Sequence, residues 1–315
     1  MTSTMTTLES PQSKTSTIIE IERREKLTHE EFVKEYASVH KPVILTDALR
    51  HWDAVGKWTP EFFKETFGNT EIDINKVAYT ERKGKPREAA TTVGKFVDAV
   101  LQSSDESPAP YLRNQNLHEL FPSLVKDVTP LPMYLSPNWL PEPFALKNVQ
   151  RVFREHSDLQ LYFGGQGGAF PSLHYDILAS HAYLMQIYGR KKFVIFSPEQ
   201  KPYLYLQPNS RNHSQVNVEN PDLQKFPLYA KATPTTFVLE AGELLFVPSR
   251  WWHATKILTP SISVSLNALN QTNWSLLTDW VCEARNPLLR IPSRLYLNAA
   301  GAWRSRRDRR IGFSR

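Results

Sequence analysis

The chain has 315 residues, 41% of them apolar and 22% charged, enough to fill a sizeable core, which excludes a disordered, collagen-like or small disulfide-built protein. A single cysteine, Cys282, permits no internal disulfide and cannot alone build a zinc–thiolate site, so a reducing compartment is expected rather than a secreted one. The net charge of +6 is uneven: residues 290–315 hold eight arginines against one acid, Asp308, a net +7 that leaves −1 on the other 289 residues, so no protein-wide nucleic-acid surface is expected.

Residues 1–16 (MTSTMTTLESPQSKTS) lack both a helix or strand period and the apolar stretch of a signal peptide, and they are expected to be disordered. No apolar run has bilayer-spanning length, so a soluble intracellular protein, cytoplasmic or nuclear, without a membrane partner is expected. A mixed helix–strand region over 17–125 comes next. In THEEFVKEYASV, Thr28 and Glu31 form a capping-box pattern, and Phe32, Tyr36 and Val39 are predicted to share one helix face. PVILTDA reads as a short buried strand, and TPEFFKETFG as a helix with a Thr cap, Pro at its first position and Gly68 at its end.

From about residue 126 to 275 the texture becomes β-rich. LQLYFGG, AYLMQIYG, KKFVIFSP, TTFVLEAG, ELLFVP and SISVSLNAL have strand length, β-branched or aromatic content, and turn residues at their ends. Consecutive strands without helices between them indicate a sandwich or barrel. The fold class is therefore mainly β with α. Beyond it, LLTDWVCEA and the stretch around SRLYLNAAGAWRSR read as helices within a C-terminal segment, 276–315, whose arginines are expected to be solvated.

Two segments carry residues suited to chemistry. SLHYD places His174 and Asp176 two apart, on one side of the chain if it is extended, and FVPSRWWHA places His253 after a β-rich run. Two imidazoles and one carboxylate form the facial set that holds non-haem Fe(II) with positions left open; hydrolytic zinc is the competing metal. An HxD is weak alone in a chain with nine histidines, and a histidine beside two tryptophans is equally suited to packing. Lys191 alternates with Phe193 and Ile195, and a cation on an apolar face is costly without an anion; its alternative is a solvated hairpin lysine.

Taken in order, KPVILTDALRHW, KWTPEFF, YLSPNWL, LHYD, QIYGRKKFVIFSPEQ, SQVNVENPDLQKFP and AGELLFVPSRWWHAT resemble the cupin-like JmjC family of Fe(II)- and 2-oxoglutarate-dependent oxygenases, in its small hydroxylase branch, over about Ile18 to Asn270. The resemblance implies a double-stranded β-helix (cupin or jelly-roll) core with an N-terminal mixed helix–strand region and C-terminal helices. It implies Fe(II), 2-oxoglutarate and O2, with ascorbate as in vitro reductant. Carried over by position, it makes His174, Asp176 and His253 the iron ligands. Lys191 then meets the far carboxylate of 2-oxoglutarate, Tyr134 donates its hydroxyl to that carboxylate, and Asn267 faces the cosubstrate. Phe170-Pro171-Ser172 departs from the Thr-Pro or Ser-Pro of many relatives, leaving Ser172 to supply that hydroxyl, and Ala182 stands where many carry asparagine. The implied reaction is hydroxylation of an unactivated C–H bond, most simply on a polypeptide side chain. Hydroxylation of tRNA or a small molecule, N-methyl-lysine demethylation and a catalytically silent binding module are the alternatives. RNA contact through the basic tail and a homodimer through the C-terminal helices are further expectations.

Overall fold

In the computed structural model, which describes residues 20–74, 90–140, 159–283 and 286–310, the chain starts its first helix, α1 (His29–Phe32), on the expected capping box. Glu31 N donates to Thr28 Oγ1 at 3.2 Å, and Thr28 N donates to Glu31 Oε2 at 2.8 Å. The expected disordered start at 1–16 lies outside the described residues. Phe32 and Tyr36 are buried as predicted, but Val39 is 61% exposed. The reason is local: after Phe32 the helix widens into a π turn over Val33–Ala37, so the 3.6-residue stripe slips and Val39 rotates out. α2 (Pro60–Phe67) is capped by Thr59, whose hydroxyl accepts from Phe62 N at 3.1 Å, and α3 (Val93–Leu101) by Thr92.

The strands, in chain order, are β1 (Arg23–Arg24), β2 (Val43–Leu45), β3 (Glu71–Asp73), β4 (Ala90–Thr92), β5 (Leu112–Asn116), β6 (Gln160–Gly164), β7 (Ala169–His174), β8 (His181–Tyr188), β9 (Lys191–Phe196), β10 (His213–Asn217), β11 (Thr235–Leu239), β12 (Leu244–Val247), β13 (Trp252–Ile257) and β14 (Ser261–Ala268). A larger sheet runs β1-β2-β12-β8-β14-β6-β5 and a smaller one β10-β7-β13-β9-β11, while β3 and β4 pair with each other. All pairs are antiparallel except β1 with β2. This is the expected double-stranded β-helix, with strands of the N-terminal region extending its larger sheet.

The two faces of the larger sheet differ in chemistry. Along β14, Ile262, Val264, Leu266 and Ala268 join an outer core with Phe32, Phe63, Phe96 and Phe163, which seals the N-terminal region onto the sheet. The alternate residues Ser261, Ser263, Ser265 and Asn267 take the opposite face, toward the smaller sheet. Between the sheets lies a second apolar cluster built from Ala182, Leu245, Val247, Phe193, Ile195 and Phe237. Gly189, at φ 71°, turns β8 into β9; a Cβ there would run into the carbonyl of Pro260.

Two C-terminal helices, α4 (Trp274–Glu283) and α5 (Pro287–Arg310), close one side. The basic tail is not uniformly solvated as expected. Arg304 is fully buried, donates to Trp139 O at 3.1 Å, and lies over the Trp139 and Trp274 rings. Asp308, also buried, accepts from Trp139 Nε1 at 2.6 Å. Gly301 permits this contact, since a Cβ there would approach the Trp274 indole to 2.5 Å. The opposite face of α5 leaves Leu288, Ile291, Leu295 and Trp303 exposed. Among the described residues, no helix is long and apolar enough to cross a membrane.

Candidate metal centre

Strand register creates the centre. β13 lies between β7 and β9, and its pairing places His253 directly opposite His174, although 79 positions of chain separate them. β7 ends at His174, so Asp176 stands beyond the strand, in extended backbone ahead of a tight turn over Ile177–Ala179. Leu178 and Ala179 in that turn take φ of 60° and 48°, a left-handed pair that swings the chain back into β8. One ligand atom from each of His174, Asp176 and His253 then lies within 4.8 Å of the others.

The hydrogen bonds select the tautomer that a metal needs. His174 Nδ1 sits 2.7 Å from Ser172 O and His253 Nδ1 sits 3.2 Å from Trp251 O, so in each ring Nδ1–H donates to a carbonyl and the Nε2 lone pair is left for an ion. Burial, followed by the neighbouring His253, holds His174 well below the ordinary imidazole range and therefore neutral, the form that ligates. His174 Nε2 is 4.0 Å from Asp176 Oδ1. Two neutral imidazoles and one carboxylate suit Fe(II), and equally suit Zn(II).

Lys191 opens β9 on the same side of the smaller sheet as His253, about 13 Å along the strand direction by the register Lys191–Ile257 and Ile195–His253. It is 4% exposed, its Nζ donates to Ser263 Oγ at 2.6 Å, and its ammonium lies 5.5 and 5.4 Å from the Tyr111 and Tyr162 ring centres. It is buried and not a solvated hairpin lysine. No carboxylate among the described residues pairs with it, and burial pulls its pKa down to about 7. Such a group is suited to meeting an anion. Ser172, two residues before His174 on the same strand face, carries a buried Oγ with no hydrogen-bond partner among the described residues.

The remaining expected site residues, Tyr134 and Asn267, have hydrogen-bond partners within the chain. Tyr134 lies behind the larger sheet, in the outer core, with its hydroxyl donating to Leu27 O at 2.7 Å and its ring edge-on to Phe32 at 5.1 Å. The structure therefore does not bring it to Lys191. Asn267 is on the inner face opposite Ala182, but its Nδ2 donates to Ser180 Oγ at 3.1 Å and to His181 O at 3.4 Å, so that donor serves the backbone after Asp176. The phenols that do flank Lys191 are Tyr111 and Tyr162, and burial pushes the latter up to about 12, keeping it a donor. They were missed because only the pairing of β6 with β5 and β14 shows which face of the strand is inward; the alternation Gln160, Tyr162, Gly164 opposite Leu161, Phe163 was the available signal. His213, whose ring stacks on His174, was missed as well.

The profile of the family described as "Cupin-like domain" matches residues 28–269. Lysine-specific demethylase 8 of Xenopus tropicalis is 29% identical over 239 residues, 75% of this chain and 50% of that protein. tRNA wybutosine-synthesizing protein 5 of Gallus gallus is 27% identical over 260 residues, 79% of this chain and 76% of that protein. The human 2-oxoglutarate and iron-dependent oxygenase JMJD4 is 26% identical over 275 residues, 81% of this chain and 63% of that protein. The chain spans about half the length of the first curated relatives it matches.

Proposed function

Because the chain belongs to the cupin-like domain family, we propose that it is an Fe(II)- and 2-oxoglutarate-dependent oxygenase that hydroxylates a C–H bond of a polypeptide side chain. The observation that carries this reading is the pairing, on one inner face, of the His174, Asp176 and His253 cluster with a buried lysine that has no acidic partner among the described residues. A dicarboxylate would give each end a partner: one carboxylate at the metal, the other at the Lys191 ammonium. A hydrolytic zinc site gives Lys191 no task. When bound, iron and 2-oxoglutarate would supply the oxidising chemistry, in which O2 is consumed, the cosubstrate is decarboxylated to succinate and one oxygen atom goes to the substrate.

The protein's residues would hold and orient. His174, Asp176 and His253 would hold the ion. Lys191 neutralises the distal carboxylate, a charge-assisted bond strengthened by its dry surroundings. Ser172 Oγ, buried with no hydrogen-bond partner among the described residues, would donate to the cosubstrate, and the apolar wall of Phe193 and Ile195 would limit water. A polypeptide substrate is favoured because residues 1–289 net to about −1 and so provide no protein-wide cationic surface for a phosphate backbone.

The test is succinate release with Fe(II), ascorbate and 2-oxoglutarate, coupled to a mass-spectrometric search for +16 Da products among peptides and RNAs. Iron-dependent succinate formation that His174→Ala and Asp176→Ala both abolish is expected. Turnover with zinc alone refutes the oxygenase reading, and a +16 Da product on RNA but on no peptide refutes the substrate class.

A further inference from the structure

We propose that His213 is a positioning residue for the metal centre, its imidazole bracing the ring of His174 so that Nε2 faces the ion; the inference rests on the metal-site reading above. β10 pairs with β7 so that His213 stands directly opposite His174, and the two rings stack with centroids 5.5 Å apart and planes 14° from parallel. Two other rings touch His174, Phe170 at 4.8 Å and His253 at 4.4 Å, but at 53° and 51°. Among the described residues only His213 lies flat against it.

The geometry explains why a brace is needed. The bond from His174 Nδ1 to Ser172 O pins one corner of the ring, and a ring held at one corner still rocks about that bond. A parallel ring on its face opposes that tilt without using Nε2. The brace is itself held: His213 Nδ1 lies 3.2 Å from Asn212 Oδ1 and 3.3 Å from Ser210 Oγ, and that hydroxyl also accepts from the His213 and Asn212 backbone N–H groups at 3.0 and 3.4 Å. β10 is an edge strand whose register to β7 shifts between His213 and Asn217, so the ladder alone fixes the facing residues loosely, and the ring contact falls where the ligand is. Ligands oriented in advance bind metal more tightly because less motion is lost on binding.

The experiment is calorimetric Mn(II) binding to the full chain without 2-oxoglutarate, so that the readout does not depend on turnover. His213→Ala is expected to weaken Mn(II) binding roughly three- to tenfold. His213→Phe, which keeps a flat ring, is expected to restore it to within about twofold. Should the alanine variant fail to fold by circular dichroism, His213→Gln takes its place, polar but ringless and expected to be as weak. Ringless variants that bind Mn(II) as the parent does, or a phenylalanine variant as weak as they are, overturn the role of His213 while the metal reading stands. A parent protein that binds no Mn(II) overturns both.

Discussion

Replacing Lys191 by methionine should move two quantities in opposite directions. The lysine is 4% exposed with a neutral hydroxyl, Ser263 Oγ, as its hydrogen-bond acceptor, and burial brings its pKa from 10.5 to about 7. Between those values the unfolded chain holds a proton that the native lysine has released. Stability of the cosubstrate-free protein therefore rises with pH across that window and is lowest below pH 7. Around pH 7 the burden of the buried ammonium is on the order of 4 kcal/mol. Methionine has similar length and no charge, so it removes that burden, while the orphaned Ser263 hydroxyl returns about 2 kcal/mol of it. The net expectation is a free protein more stable by about 2 kcal/mol, a melting temperature higher by about 4 °C. Binding should change the other way. Removing one partner of a buried charge pair costs about 3–5 kcal/mol, so 2-oxoglutarate affinity should fall by roughly two to three and a half orders of magnitude. Differential scanning fluorimetry at pH 7, with Mn(II) and with or without 2-oxoglutarate, reads the first quantity, and calorimetry reads the second. A variant that binds 2-oxoglutarate within threefold of the parent would falsify the anion-site argument. A variant whose melting temperature falls would show that Lys191 serves the fold instead.

Three further outcomes are expected. Because the dianion needs a charged Lys191, the 2-oxoglutarate dissociation constant should rise as pH increases above about 7, by up to about tenfold per pH unit, and should stay flat in the methionine variant; calorimetry from pH 6.5 to 8.5 at fixed ionic strength checks it, and parallel profiles reject it. Tyr134→Phe should leave 2-oxoglutarate binding unchanged while costing about 1 kcal/mol through the unpaired Leu27 carbonyl, and a large loss of binding would return Tyr134 to the site. Gly301→Ala should lower stability by about 1–3 kcal/mol, since its Cβ meets the Trp274 indole; an unchanged melting curve would mean that α5 is not docked as described.

Local chemistry was legible along the chain. Side-chain capping needs only a few residues, so the Thr28–Glu31 box and the Thr59 cap could be read directly. The runs that became β6, β8, β9, β11, β12 and β14 announced themselves by length, branching and turn residues, and the H-x-D with a later His pointed to the three residues that cluster as a candidate metal site. Alternation also gave Lys191 the face of Phe193 and Ile195, which both lie in the cluster between the sheets. The strands that carry the candidate histidine ligands were the least visible: β7 is interrupted by Pro171, and β13 begins in a Trp-Trp-His run that reads as well as packing. Period-two alternation tells that a strand has two faces but not which one is inward, and a resemblance carried Tyr134 to a position that the fold puts behind the sheet. The burial of Arg304 under two tryptophans and the slip of Val39 out of its stripe likewise depend on partners or a helix widening that no short window shows. What only the tertiary structure decided is the register that sets His253 against His174 and turns Tyr111 and Tyr162 toward Lys191. Pairing between distant strands is chosen by the whole core at once, because a one-residue slip would reverse every face.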